Sequence, residues 1–134
     1  LKDEEFEDDT VDAGEIGAGH SVTALYEIKL AEGAQGEIAT VRLRWQDPDS
    51  FENIELSQSF DVMDLAASFE ETSPQFRLAV MVAAFAEVLR ESYWAQEYTL
   101  DDLVVNLESS AWPEYEVPDV IEVEGLIRRA ASFK

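Results

Sequence analysis

The chain predicts an α+β fold: an antiparallel β-meander of about three strands followed by a three-helix C-terminal half. Apolar residues alternate with period two through successive runs between 20 and 60, turn signals separate the runs, and the period changes to 3.6 after Ser68. Strands that come first and helices that come after argue for segregated layers rather than alternating strand–helix units.

Residues 1–15 form an acidic leader in which Asp3, Glu4, Glu5, Glu7, Asp8, Asp9, Asp12 and Glu15 face Lys2 alone. Such a segment buries too little surface to offset its ordering entropy, so an extended or mobile leader is expected, and residues 16–134 read as a single α+β domain. Gly14, Gly17 and Gly19 lead into the first strand, about 20–30. A phosphate-binding glycine motif must instead follow a strand and open a helix, so no nucleotide site is read there. In that strand Val22, Ala24, Tyr26, Ile28 and Leu30 share one face, and Thr23, Leu25, Glu27 and Lys29 the other. Glu32 to Gly36 supplies a turn. The second strand, about 37–46, sets Ala39, Val41, Leu43 and Trp45 opposite Thr40, Arg42 and Arg44. Asp47-Pro48-Asp49-Ser50 makes a corner, and the third strand, about 53–60, alternates Ile54, Leu56 and Phe60 with Glu55, Ser57 and Ser59.

Thr72 or Ser73 can cap a first helix of about 74–93, whose early Pro74 suits a position with no N–H partner. This helix is apolar nearly all round, with a thin polar strip through Arg77, Glu87, Arg90 and Glu91, and is expected to be the most buried. Thr99 and Asp102 have capping-box spacing at the start of a second helix, about 99–110, in which Leu100, Leu103, Val104 and Leu107 recur at i, i+3, i+4 and i+7. Pro113 and Pro118 bracket a loop holding Tyr115. The last helix, about 118–133, gathers Val123, Leu126, Ile127 and Ala130, with Arg128 and Arg129 near its C-terminus, where the dipole favours cations.

The formal charge of −21 repels nucleic acid and anionic lipid, so neither is an expected partner. The longest apolar run, Leu78 to Ala86, is far short of the roughly 20 residues that span a bilayer, so no direct membrane insertion is expected. Without cysteine there is no disulfide, thiolate metal site or thiol nucleophile. No secretory signal pattern opens the chain, and its start at Leu1-Lys2-Asp3 reads as a cut from something longer.

Catalytic constellations are sparse. His20 adjoins Ser21, but neighbours on a strand point to opposite faces, and with a single histidine no Ser-His-Asp triad or two-histidine metal site can form. Among thirty carboxylates, paired acids arise by chance and identify no glycosidase dyad. Two acidic groups stand out, Asp8-Asp9-Asp12 in the leader and Asp47, Asp49 and Glu52 at the corner, and the latter are weak calcium candidates without EF-hand spacing. No cofactor is expected. Trp45, Trp94, Trp112, Tyr93, Tyr98 and Tyr115 lack a basic setting and read as core or interface residues. Three strands leave two edges, and the apolar first strand offers an interaction edge of Val22, Ala24, Tyr26 and Ile28.

Glu5-Phe6, Asp8-Asp9-Thr10 and the run from Asp12 to Ile28 resemble the region that follows the von Willebrand factor type A domain in bacterial proteins of the YfbK type. Val41 to Trp45 leading into Asp47-Pro48-Asp49, and Phe76 to Ala79 leading into Phe85 and Leu89-Arg90, carry the same resemblance across the chain. It carries no activity over to this domain, and it implies as partner an upstream type A domain of the same polypeptide, in proteins commonly exported or membrane-anchored. The metal-adhesion motif Asp-x-Ser-x-Ser does not occur in these residues. The expected function is a non-enzymatic accessory domain that supports protein binding or adhesion, with an acidic calcium-responsive module as the alternative and an enzyme third.

Overall fold

The computed structural model describes residues 8, 14, 16–96 and 98–133, leaving aside the side chain of Trp94. The chain divides into two compact units, one ending at Leu65 and the other beginning at Ala66.

The first unit holds a two-stranded antiparallel sheet, β1 (Glu37–Gln46) and β2 (Asn53–Asp61). Val41 faces Gln58, Leu43 faces Leu56 and Trp45 faces Ile54, so the apolar positions of both strands fall on one side, as the alternation predicts. Arg42 faces Ser57 and Arg44 faces Glu55 on the polar side, where Arg42 Nη2 pairs with Glu55 at 2.9 Å. The register shifts between Glu37 and Ala39, where Ile38 is inserted as a bulge. No described residue of this unit is buried.

The expected strand at about 20–30 is corrected. This segment belongs to no sheet, and its described residues are exposed. Alternation marks which face of a strand seeks burial, but pairing must also offset the ordering entropy of some ten residues, at roughly 1–2 kcal/mol each. A hairpin with no buried side chain offers ladder hydrogen bonds and little burial in return. The turn is present: Ala34 N–H donates to the Ala31 carbonyl at 3.1 Å, with Gly33 at φ +72°.

The second unit is helical, with α1 (Pro74–Leu89), α2 (Leu100–Ser109) and α3 (Val117–Ala131). Ser73 caps α1, its hydroxyl accepting from Phe76 N–H at 3.2 Å, and Pro74 stands in the first turn. The expected continuation to 93 stops at Leu89, because Glu91 turns left-handed at φ +53°. Ser92 N–H then reaches the Glu87 carbonyl at 3.0 Å and Glu91 N–H the Val88 carbonyl at 3.2 Å, a Schellman closure built without glycine. At the start of α2 the Thr99–Asp102 capping box forms as its spacing predicts.

The core sits between these helices. Leu100, Leu103, Val104 and Leu107 turn one face of α2 inward against Met81 and Val88 of α1 and Val120 and Ile127 of α3. The most completely buried side chains are Leu103, Leu107 and Ile127, so α2, rather than the longer α1, is the most enclosed helix. Its short amphipathic face is packed from two sides, whereas Phe76, Val82 and Leu89 of α1 remain exposed. Arg128 of α3 ties back to α2 through Glu108 and within its own helix to Glu124 at 2.6 Å. Among the described residues no helix is long and apolar enough to cross a membrane.

Candidate functional site

The corner between β1 and β2 shows what its acids do. Asp47 Oδ1 accepts from Asp49 N–H at 3.0 Å, Ser50 N–H at 2.8 Å and Ser50 Oγ at 3.1 Å. Those bonds hold the Asp47 carboxyl below its ordinary value, the Ser50 backbone contributing most and the Asp49 backbone next. The carboxylate therefore builds the turn, and Asp49 and Glu52 are not gathered with it. Among the described residues no group of three His, Cys, Asp or Glu side chains is placed to hold a metal ion. The other acidic group lies outside the described residues except for Asp8.

Asp47 N–H also donates to the Glu52 carbonyl at 2.9 Å, and Phe51 N–H to the Asp47 carbonyl at 2.9 Å. This closure puts Phe51 at φ +59°, a left-handed conformation uncommon for a bulky side chain, with its ring exposed at the tip.

His20 belongs to a local turn. Its backbone N–H donates to the Gly17 carbonyl at 3.0 Å, and Nδ1 lies 3.3 Å from the same oxygen, so the ring serves the chain rather than Ser21. From there Ser21 to Leu30 forms no helix, strand or turn, and among the described residues its backbone makes no hydrogen bond. Val22 is 73% exposed, Tyr26 83% and Ile28 54%, and Ala24 is exposed with them. The four residues of the expected interaction edge thus lie on a segment that has no strand partner among the described residues.

Sequence reasoning missed the polar centre of the helical unit. Arg77, assigned to a surface strip, is 7% exposed. Nη1 donates to the carbonyls of Glu70 at 2.7 Å and Thr72 at 2.8 Å, and Nη2 to that of Ala111 at 2.8 Å. Its guanidinium lies 5.3 Å from the Trp112 ring centroid, while Nε is buried without a hydrogen-bond partner. Arg77 fastens the segment before α1 to the loop after α2. The buried Glu116 likewise accepts from Gln75 Nε2 at 2.6 Å, joining the start of α3 to that of α1. An arginine one turn into an otherwise apolar helix is the signal that could have found this lock, since no salt-bridging neighbour there gives it a surface role. Of the expected aromatic residues, Trp112 is half-buried and donates from Nε1 to the Leu107 carbonyl at 2.8 Å, whereas Tyr93, Tyr98 and Tyr115 are exposed.

A model of the family described as "Uncharacterized protein YfbK, C-terminal" matches residues 1–132. The chain belongs to this family. The Escherichia coli (strain K12) protein YfbK is 32% identical over 111 residues, a match that covers 69% of this chain and 18% of that protein. The chain thus spans less than a fifth of the relative's length. No solved structure matches it significantly. Within the YfbK C-terminal family, then, this sequence builds a hairpin with an exposed apolar face, an alternating apolar segment before it that has no backbone partner among the described residues, and a helical unit locked by buried polar side chains.

Proposed function

We propose that the chain is a non-enzymatic accessory domain, one that accompanies an upstream von Willebrand factor type A domain of the same polypeptide and supports protein binding or adhesion in an exported or membrane-anchored protein. The observation that carries this reading is the segment from Ser21 to Leu30, which forms no helix, strand or turn, is apolar on alternate residues and has no backbone partner among the described residues. Backbone groups in this state are satisfied by water and are ready to pair with the edge of another sheet, where main-chain hydrogen bonds supply affinity and alternate side chains supply selectivity. Val22, Ala24, Tyr26 and Ile28 supply that alternation here. Membership of the YfbK C-terminal family supports the reading through the resemblance to the region that follows a type A domain.

Hydrogen exchange tests it. The amides of Val22 to Ile28 should exchange rapidly in this chain alone and become protected in the polypeptide that also carries the type A domain. Equal exchange in the two would overturn the proposal, because strand addition must remove these groups from water.

A further inference from the structure

The hairpin carries a second surface, separate from the Ser21–Leu30 segment. Val41, Leu43 and Trp45 of β1 and Ile54, Leu56 and Phe60 of β2 stand on one side of the sheet, each exposed by a third or more of its area. Gln58 interrupts the β2 row opposite Val41, and the rest forms an exposed apolar patch of the kind that marks interaction sites. Carboxylates stand at both ends of the hairpin: Asp47, Asp49 and Glu52 at the corner, and Glu37, Asp61 and Asp64 at the open end.

Charge selects the occupant. A second copy of the chain would bring acidic ends against acidic ends, with a net charge of −21 on each partner, and carboxylates held within about a Debye length, near 8 Å at physiological salt, repel. Nucleic acid is excluded by the same charge and by the apolar character of the face. We propose that this face docks a partner protein whose surface is apolar at its centre and bears lysine or arginine around it. Burial of the leucine, isoleucine and tryptophan side chains supplies the attraction, and the acidic ends fix the orientation and speed the encounter. The inference does not rest on the type A reading, which concerns a different segment.

The test uses a labelled ten-residue peptide of alternating lysine and leucine as probe and its glutamate–leucine counterpart as control, followed by fluorescence anisotropy on the whole chain. Two charge-matched double variants separate the face from the charge. Leu43→Glu with Leu56→Glu places two carboxylates on the apolar side, and Thr40→Glu with Ser57→Glu places two on the polar side. Saturable binding of the cationic probe should persist in the polar-side variant and weaken about tenfold or more in the apolar-side variant, although both gain the same charge. Circular dichroism on both variants checks that the helices are retained. Equal binding by the two variants, or no binding by the unaltered chain, would overturn the proposal. Concentration-dependent self-association abolished by the Leu43→Glu and Leu56→Glu pair would also overturn it, by making a second copy the occupant.

Discussion

Both units of the molecule carry long apolar rows, yet only the helical one buries them. In the hairpin, Leu43 and Leu56 face each other across the sheet and are both more than half exposed, while Leu103, Leu107 and Ile127 between the helices are at most 1% exposed. The difference is one of layers. Three helices can surround a common centre, whereas two strands present a face that needs a second layer to cover it. An amphipathic pattern therefore states which side seeks burial, and whether burial occurs within the unit depends on how many elements are at hand. Stability rests on the helices, and the recognition we propose falls to the hairpin and the segment before it.

The widest separation between the units should come from equivalent truncations. Ile127→Ala opens a cavity in the helical core and should cost about 2–5 kcal/mol in urea unfolding followed by far-ultraviolet circular dichroism. Leu43→Ala on the exposed sheet face should change the same transition by about 0.5 kcal/mol or less. Comparable losses would break the comparison, because the hairpin face would then be contributing burial that its exposure does not show.

Next in size is the buried lock. Arg77→Ala leaves the carbonyls of Glu70, Thr72 and Ala111 without their donor and removes the cation from the Trp112 ring, a change expected to cost about 2–3 kcal/mol. Arg77→Lys should recover only part of that loss, since an ammonium cannot reproduce the planar fork that reaches three carbonyls. Full recovery with lysine would show that charge alone, and not geometry, fixes the position.

Smaller still is the acid sensitivity of α2. Hydrogen bonds from the Thr99 side chain first, and from its backbone second, hold the Asp102 carboxyl below its ordinary value. A carboxyl depressed in the folded state contributes stability that is present above its unfolded pKa and is lost as pH falls through its folded pKa. Asp102→Asn should therefore lower the Tm at neutral pH, and the gap from the unaltered chain should close below about pH 4. A gap independent of pH would assign the effect to shape rather than to the ionised cap.

Features that depend on neighbours along the chain are legible in the sequence. The Ser73 cap, the Thr99–Asp102 box, the Asp47-Pro48 corner and the α2 face each follow from residues a few positions apart, whose side chains meet once the local backbone forms. Features that depend on distant partners are not. The period-two run from 20 to 30 has the composition of a strand but joins neither edge of the β1–β2 hairpin, and Arg77 donates hydrogen bonds to carbonyls up to 34 positions away. The early end of α1 is hidden for another reason: its left-handed closing residue is Glu91, where glycine or asparagine would have announced the stop. In the candidate site, Val22, Ala24, Tyr26 and Ile28 stand out in the sequence as an alternating apolar set, while their lack of a ladder cannot be read from the pattern.

Native-state hydrogen exchange on the whole chain tests the division of labour most directly. Amides around Met81 to Val88, Leu103 to Leu107 and Ile127 should exchange only through global opening, those of the paired hairpin strands should exchange by local opening well below that limit, and those from Val22 to Ile28 should approach unprotected rates. Protection of Val22 to Ile28 equal to that of Leu103 to Leu107 would contradict the account, for it would mean that the segment assigned to recognition is already part of a stable sheet.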